Sequence, residues 1–146
     1  MKQPDDNIGT VKDLVLHRIE TAKSDIKSAQ ILLDAGEYRS WNNRAYYGIY
    51  HAISAIHALD GNVYKKHKDA LANFNKEYVK TEIFPRNIGR RIAEAAEIRH
   101  ASDYDDFYIA KKIEAEEQIA TAEELLKLVQ KYCDDRLNIS WLMFLK

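Results

Sequence analysis

Little in this sequence offers an obvious handle. One cysteine, Cys133, excludes an internal disulfide and any cysteine-based zinc site, and suits a reducing compartment. No apolar run approaches the roughly 18 residues that a membrane-spanning helix requires. An excess of either charge is also lacking. The 22 basic residues meet 23 acidic ones, a formal net charge of −1, so there is no global pull toward nucleic acid or an anionic membrane. Any phosphate-binding surface must be local. The first residues, MKQPDDNIG, are polar and resemble neither a signal nor a transit peptide. Internal repeats, low-complexity tracts and strand-like alternation are missing too. These absences leave one intracellular, cytoplasmic domain without a membrane anchor, long enough to bury roughly two thirds of its unfolded surface.

What is present is helical periodicity. The stretch Ser40–Gly61, SWNNRAYYGIYHAISAIHALDG, organises the rest. On a helical wheel Tyr46, Ile49, Tyr50, Ile53 and Ile56 share one side, and Arg44, Gly48, His51, Ala55 and Ala58 the other. A helix apolar almost all round is expected at the centre of a bundle. Its small-residue side admits another backbone or a ligand. Before it, Val15, Ile19, Ala22, Ile26, Ala29 and Leu33 predict a helix over 10–35, capped by Thr10 with Asp13 three residues on and ended by Gly36. After it, Lys66 to Lys80 predicts a third helix with Ala70, Leu71, Phe74, Tyr78 and Val79 inward, closed before Pro85. A fourth helix starts near Asn87, and a fifth runs to about Tyr132 on Ile119, Ala122, Leu126, Val129 and Cys133, with Ile109 and Ile113 on a rotated stripe. The fold class is all-α, an antiparallel up-and-down bundle of four to five helices. The division expected is a flexible leader over 1–9, the bundle over 10–133 and an apolar tail over 134–146. That tail, ending LNISWLMFLK, reads as a short helix folded back on the bundle or as a contact with a second subunit.

Several polar residues stand out against this background. Arg99 lies on the apolar stripe of the fourth helix with Ile88, Ile92 and Ala95, and a guanidinium drawn inward needs a partner. Asp103, one turn on, is the nearest by spacing. Arg99 with Asp103 and Tyr104 reads either as an ionic latch between helices or as a functional site. Arg44 reads as an inter-helix ion pair or a phosphate ligand, and His51 as a satisfied core group or a proton carrier. Glu97 and His100 form one Glu-x-x-His unit, but no second unit exists, so neither a metal nor another cofactor is expected. Arg86, Arg90 and Arg91 with Lys65, Lys66 and Lys68 are either a solvated face or a phosphate groove, if they converge beside Arg44 and Arg99.

Two ordered motifs carry a resemblance. The run Asn43-Arg44-Ala45-Tyr46-Tyr47-Gly48-Ile49-Tyr50-His51-Ala52 resembles the NRAYYAMFHA signature of the HEPN domain family. Arg99 followed by Asp103-Tyr104-Asp105 resembles its motif of an arginine, three residues and DYD. The segment Ala29–Tyr38 and the Lys66-His67 pair followed by Phe74 resemble the family's first and third helices, so the likeness covers about residues 20–130. The resemblance implies a helical bundle, often a homodimer, paired as a toxin with a minimal nucleotidyltransferase antitoxin. In many members it also implies a metal-independent ribonuclease, in which an arginine steadies charge on the phosphorane and a histidine four to six residues on moves protons.

This chain departs from that pattern. Arg99 has its polar follower, His100, but no histidine comes later, and Asp103 stands near the expected place. Arg44 and His51 meet the spacing literally, yet lie roughly 10 Å apart along the helix axis. Arg99, His100, Tyr104, Arg44 and His51 are therefore the catalytic candidates, and Arg44, Arg90, Arg91 and Arg99 the phosphate-binding ones. In related toxins a tyrosine after the arginine motif is modified by the partner nucleotidyltransferase, which singles out Tyr104. The expected role is an RNA- or nucleotide-related binding and interaction module on the toxin side of such a pair. The alternatives are an active ribonuclease toxin and, more remotely, a purely structural dimeric bundle.

Overall fold

The computed structural model describes the backbone of residues 4–145 and the side chains of residues 11–37 and 43–137. Five α-helices form among them: α1 (Pro4–Asp34), α2 (Tyr38–Leu59), α3 (His67–Phe74), α4 (Arg86–Tyr104) and α5 (Lys112–Leu145). A π-helical turn, Asn75–Val79, extends α3. No strand occurs among the described residues, so the expected all-α bundle is the fold. None of these helices is long and apolar enough to cross a membrane.

The α1 stripe Val15, Ile19, Ala22, Ile26, Ala29 and Leu33 is buried throughout, as its spacing predicts. It packs along α2, and Gly48 shows how closely: a Cβ built there would sit 2.8 Å from Cγ1 of Ile26. The small-residue side of α2 thus receives α1 closely at Gly48. Ala45, Ile49, Ala52, Ile53, Ala55 and Ile56 are all essentially inaccessible, which puts α2 at the centre. Ala115, Ile119, Ala122, Leu125, Leu126, Val129 and Cys133 of α5 close the same core. Burial pushes the Cys133 thiol up to about 12, so it is a packed, unreactive group.

Several boundaries differ from expectation. Helix α1 starts at Pro4, ahead of Thr10, which suits a proline at the first helical position. It ends where expected, with Gly36 at φ +77°. The third helix stops at Phe74 and widens into the π-helical turn, which still buries Tyr78 and Val79. Ile109 precedes α5 and is exposed, as is Ile113 in its first turn, so their rotated stripe faces away from the core. At the other end α5 runs unbroken to Leu145, so no separate helix folds back. What the side chains of the apolar tail touch lies outside the described residues.

Asp60, at the end of α2, ties distant elements together. It accepts a hydrogen bond from the Tyr78 hydroxyl and another from the Tyr132 hydroxyl at 3.2 Å. Burial and the adjacent carboxylate push the Tyr78 phenol well above its usual range, keeping it a donor.

Candidate functional site

Helix α2 displays Tyr46, Tyr47, Tyr50 and His51 on successive turns of the side that α1 and α5 do not fully cover. The segment before α3 is extended at Lys66, which starts the helix at His67 and brings its ring against α2. That imidazole stacks on Tyr50 with centroids 3.7 Å apart and planes at 19°. It also lies 6.0 Å from the Tyr46 ring and 5.9 Å from the Tyr47 ring. The Tyr46 hydroxyl is 3.4 Å from Nδ1 of His67. Partial burial, with Arg99 and His51 nearby, lowers the His67 pKa and favours its neutral form.

Helix α4 closes this row from the other side. Cζ of Arg99 sits 4.8 Å above the Tyr46 ring and 5.5 Å from that of Tyr47, a pair of cation–π contacts. Asp103 approaches its Nε at 3.6 Å, the ion pair that helical spacing predicts, but beyond hydrogen-bond length. That Nε is buried without a hydrogen-bond partner. Arg99 is held in place with a donor to spare. Tyr46 is buried, which raises its phenol pKa although Arg99 pulls the other way, so it remains a hydroxyl.

A groove of about 970 Å³ opens beside Arg99, and Tyr46, His67, Lys68, Arg90 and His100 also line it. Of the basic residues considered from sequence, Lys68 and Arg90 therefore join Arg99. Arg91 does not, because its Nε donates to Thr121 Oγ1 at 3.1 Å and its Nη1 to Glu124. Arg86 pairs with Glu82 at 3.4 Å on the surface. Glu97 and His100 both line the groove, but among the described residues no three His, Cys, Asp or Glu side chains gather as a metal site. His100 packs against Tyr104, with ring centroids 4.7 Å apart. Tyr104 itself is 74% exposed.

Arg44 and His51 meet at a residue that sequence reading passed over. Asp25 of α1, almost fully buried, accepts from Nδ1 of His51 at 2.8 Å and from Nη1 of Arg44 at 3.4 Å. Arg44 and His51 are therefore joined through a carboxylate and not directly. Asp25 had a signal: it lies between Ala22 and Ala29 on the apolar stripe of α1, where an unpaired acid would be costly. His67 had a weaker one, as a histidine opening an amphipathic helix. The row is continuous, because His51 lies 6.0 Å from Tyr47 and 5.7 Å from Tyr50, the tyrosines that flank His67. The Arg44–His51 and Arg99 motifs thus meet, with aromatic rings and His67 between them.

The HEPN domain model matches residues 15–132. A protein of Thermotoga maritima named "UPF0332 protein" is 29% identical over 78% of this chain and 86% of its own length. Two proteins of Methanocaldococcus jannaschii, each named "Putative toxin", are 29% identical over 78% of both chains and 27% identical over 83% of this chain and 90% of the relative.

Proposed function

This chain belongs to the HEPN domain family, and from that premise we propose that it is the toxin-side component of a toxin–antitoxin pair, binding RNA in the groove beside Arg99. Relatives named as toxins support the role. The observation that carries the ligand class is Arg99 itself: a guanidinium held by cation–π contacts to two tyrosines, lining one groove with Lys68 and Arg90. Clustered cations follow the phosphates of a single strand. Local clustering supplies what the near-neutral chain does not. In this reading the protein acts in the cytoplasm as a homodimer, and a partner nucleotidyltransferase restrains it by modifying the exposed Tyr104.

Fluorescence anisotropy with short single-stranded RNA tests the proposal. Affinity should fall as salt rises and drop at least about tenfold in Arg99→Ala, in line with lost charge and stacking. Equal affinity of the two proteins would remove the groove from the account. For the pairing, expression alone should arrest growth, and co-expression with an adjacent nucleotidyltransferase should relieve it for the wild type but not for Tyr104→Phe.

One observation favours a second, enzymatic reading, a metal-independent endoribonuclease. Nδ1 of His51 is engaged by buried Asp25, which orients the ring and leaves Nε2 to exchange a proton. Incubation with cellular RNA in EDTA checks it: cleavage that disappears in Arg99→Ala supports an enzyme, and intact RNA leaves a binding module.

A further inference from the structure

The arginine motif of this chain lacks its histidine. Nothing after His100 can supply one, Asp103 occupies the region and pairs with Arg99, and the His100 ring is turned onto Tyr104. A nuclease site on Arg99 would need its proton carrier from elsewhere in the fold.

Helix α3 offers one. His67 lines the same groove as Arg99 and stands on the same tyrosine, Tyr46, whose face carries the guanidinium and whose hydroxyl reaches Nδ1. Stacking on Tyr50 at 3.7 Å fixes the plane of the imidazole. The ring is partly exposed, and among the described residues its hydrogen bond runs through Nδ1, leaving Nε2 unengaged. The groups facing it are Tyr46, Tyr47, Tyr50 and His51 of α2 and Arg99 of α4. Two of these are cationic or can become so, and no carboxylate is among them. That setting holds His67 neutral and ready to accept a proton.

We propose that His67 is a catalytic residue, the base that takes the 2′-hydroxyl proton of an RNA whose phosphate lies on Arg99. The inference rests on the ribonuclease reading. In the step, the 2′-oxygen forms a bond to phosphorus as its proton passes to His67, and the bond from phosphorus to the 5′-oxygen breaks. A 2′,3′-cyclic phosphate is left, and the departing 5′-oxygen takes a proton from water. Arg99 holds the charge of the phosphorane. No oxidant, reductant or metal enters the balance. The histidine is thus delivered by a neighbouring helix across the groove, and Asp103 serves to position Arg99.

The test uses the full-length protein and single-stranded RNA in EDTA, comparing wild type, His67→Phe and His67→Ala. His67→Phe keeps an aromatic ring on Tyr50; it should retain RNA affinity and melting temperature while cleavage falls by about 10²–10⁴-fold. In His67→Ala, added imidazole should restore part of the rate, which a packing role would not allow. Wild-type cleavage by His67→Phe overturns this inference and leaves the ribonuclease reading standing. Absence of imidazole rescue, with binding and melting lost together, also overturns it by assigning His67 to packing. RNA left uncut by the wild type overturns both.

Discussion

Two sides of α2 face different fates. Toward α1 and α5 the helix presents Ala45, Ile49, Ala52, Ile53 and Ile56, all essentially inaccessible, with Gly48 drawing α1 into close contact. Toward α3 and α4 it presents Tyr46, Tyr47 and Tyr50 beneath His67 and Arg99, with His51 at the border with α1. The first side is packed by shape, with no polar side chain among these five residues. On the second, His67 stacks on Tyr50 at 3.7 Å and Arg99 lies 4.8 and 5.5 Å from the rings of Tyr46 and Tyr47. The contrast separates what folds the chain from what it presents.

The comparison can be broken at the seam first. Ile53→Ala, on the closed side, should lose roughly 2–5 kcal/mol and about 10 °C of melting temperature, measured by thermal denaturation. Next comes the open side: Arg99→Ala should melt near wild type yet lose about 10²–10³-fold in RNA cleavage under the enzymatic reading. A large melting change there would make Arg99 a structural latch and erase the distinction. Asp25 sits between the two sides, buried in α1 but bonded to Arg44 and His51. Asp25→Ala should cost about 2 kcal/mol, because two donors lose their shared acceptor.

His67 offers a smaller, pH-dependent test. Its pKa is lowered in the folded state, so below the ordinary histidine value near 6.5 the unfolded chain takes up a proton that the folded chain refuses. Stability should therefore decline as pH falls from 7 toward 5.5, and His67→Phe should flatten that decline in paired melting curves. Smallest of all is the rim, where Arg90 and Glu94 pair at 3.9 Å on the exposed surface. Glu94→Ala should shift stability by no more than about 0.5 kcal/mol.

Periodicity carried most of the fold because burial acts on positions spaced three and four apart. The stripe from Val15 to Leu33 and that from Ile119 to Cys133 were readable for this reason, and both are buried. Arg99 and Asp103 were readable too, being one turn apart on one helix. What pairs across helices was not. Asp25 and His51 are 26 positions apart, and Tyr46 and His67 are 21 apart. No local spacing rule reaches that far. The π-helical turn at Asn75–Val79 escaped notice because it keeps inward residues inward while changing only the backbone bonding. The missing histidine of the arginine motif drew attention along the chain, when the candidate lies on another helix.

Asp60 has a consequence in time. Its carboxylate collects hydroxyls from Tyr78, 18 positions later, and from Tyr132, 72 positions later. As the chain leaves the ribosome, α1 and α2 can pair early, across a turn of a few residues. The end of α2 then receives its first phenol from the π-helical turn and its second only when most of the protein has been made. Arg99 emerges between those two events. The groove therefore acquires Arg99 and its neighbouring cations before the last helix locks the bundle, so its charged face is complete while the protein is still being synthesised.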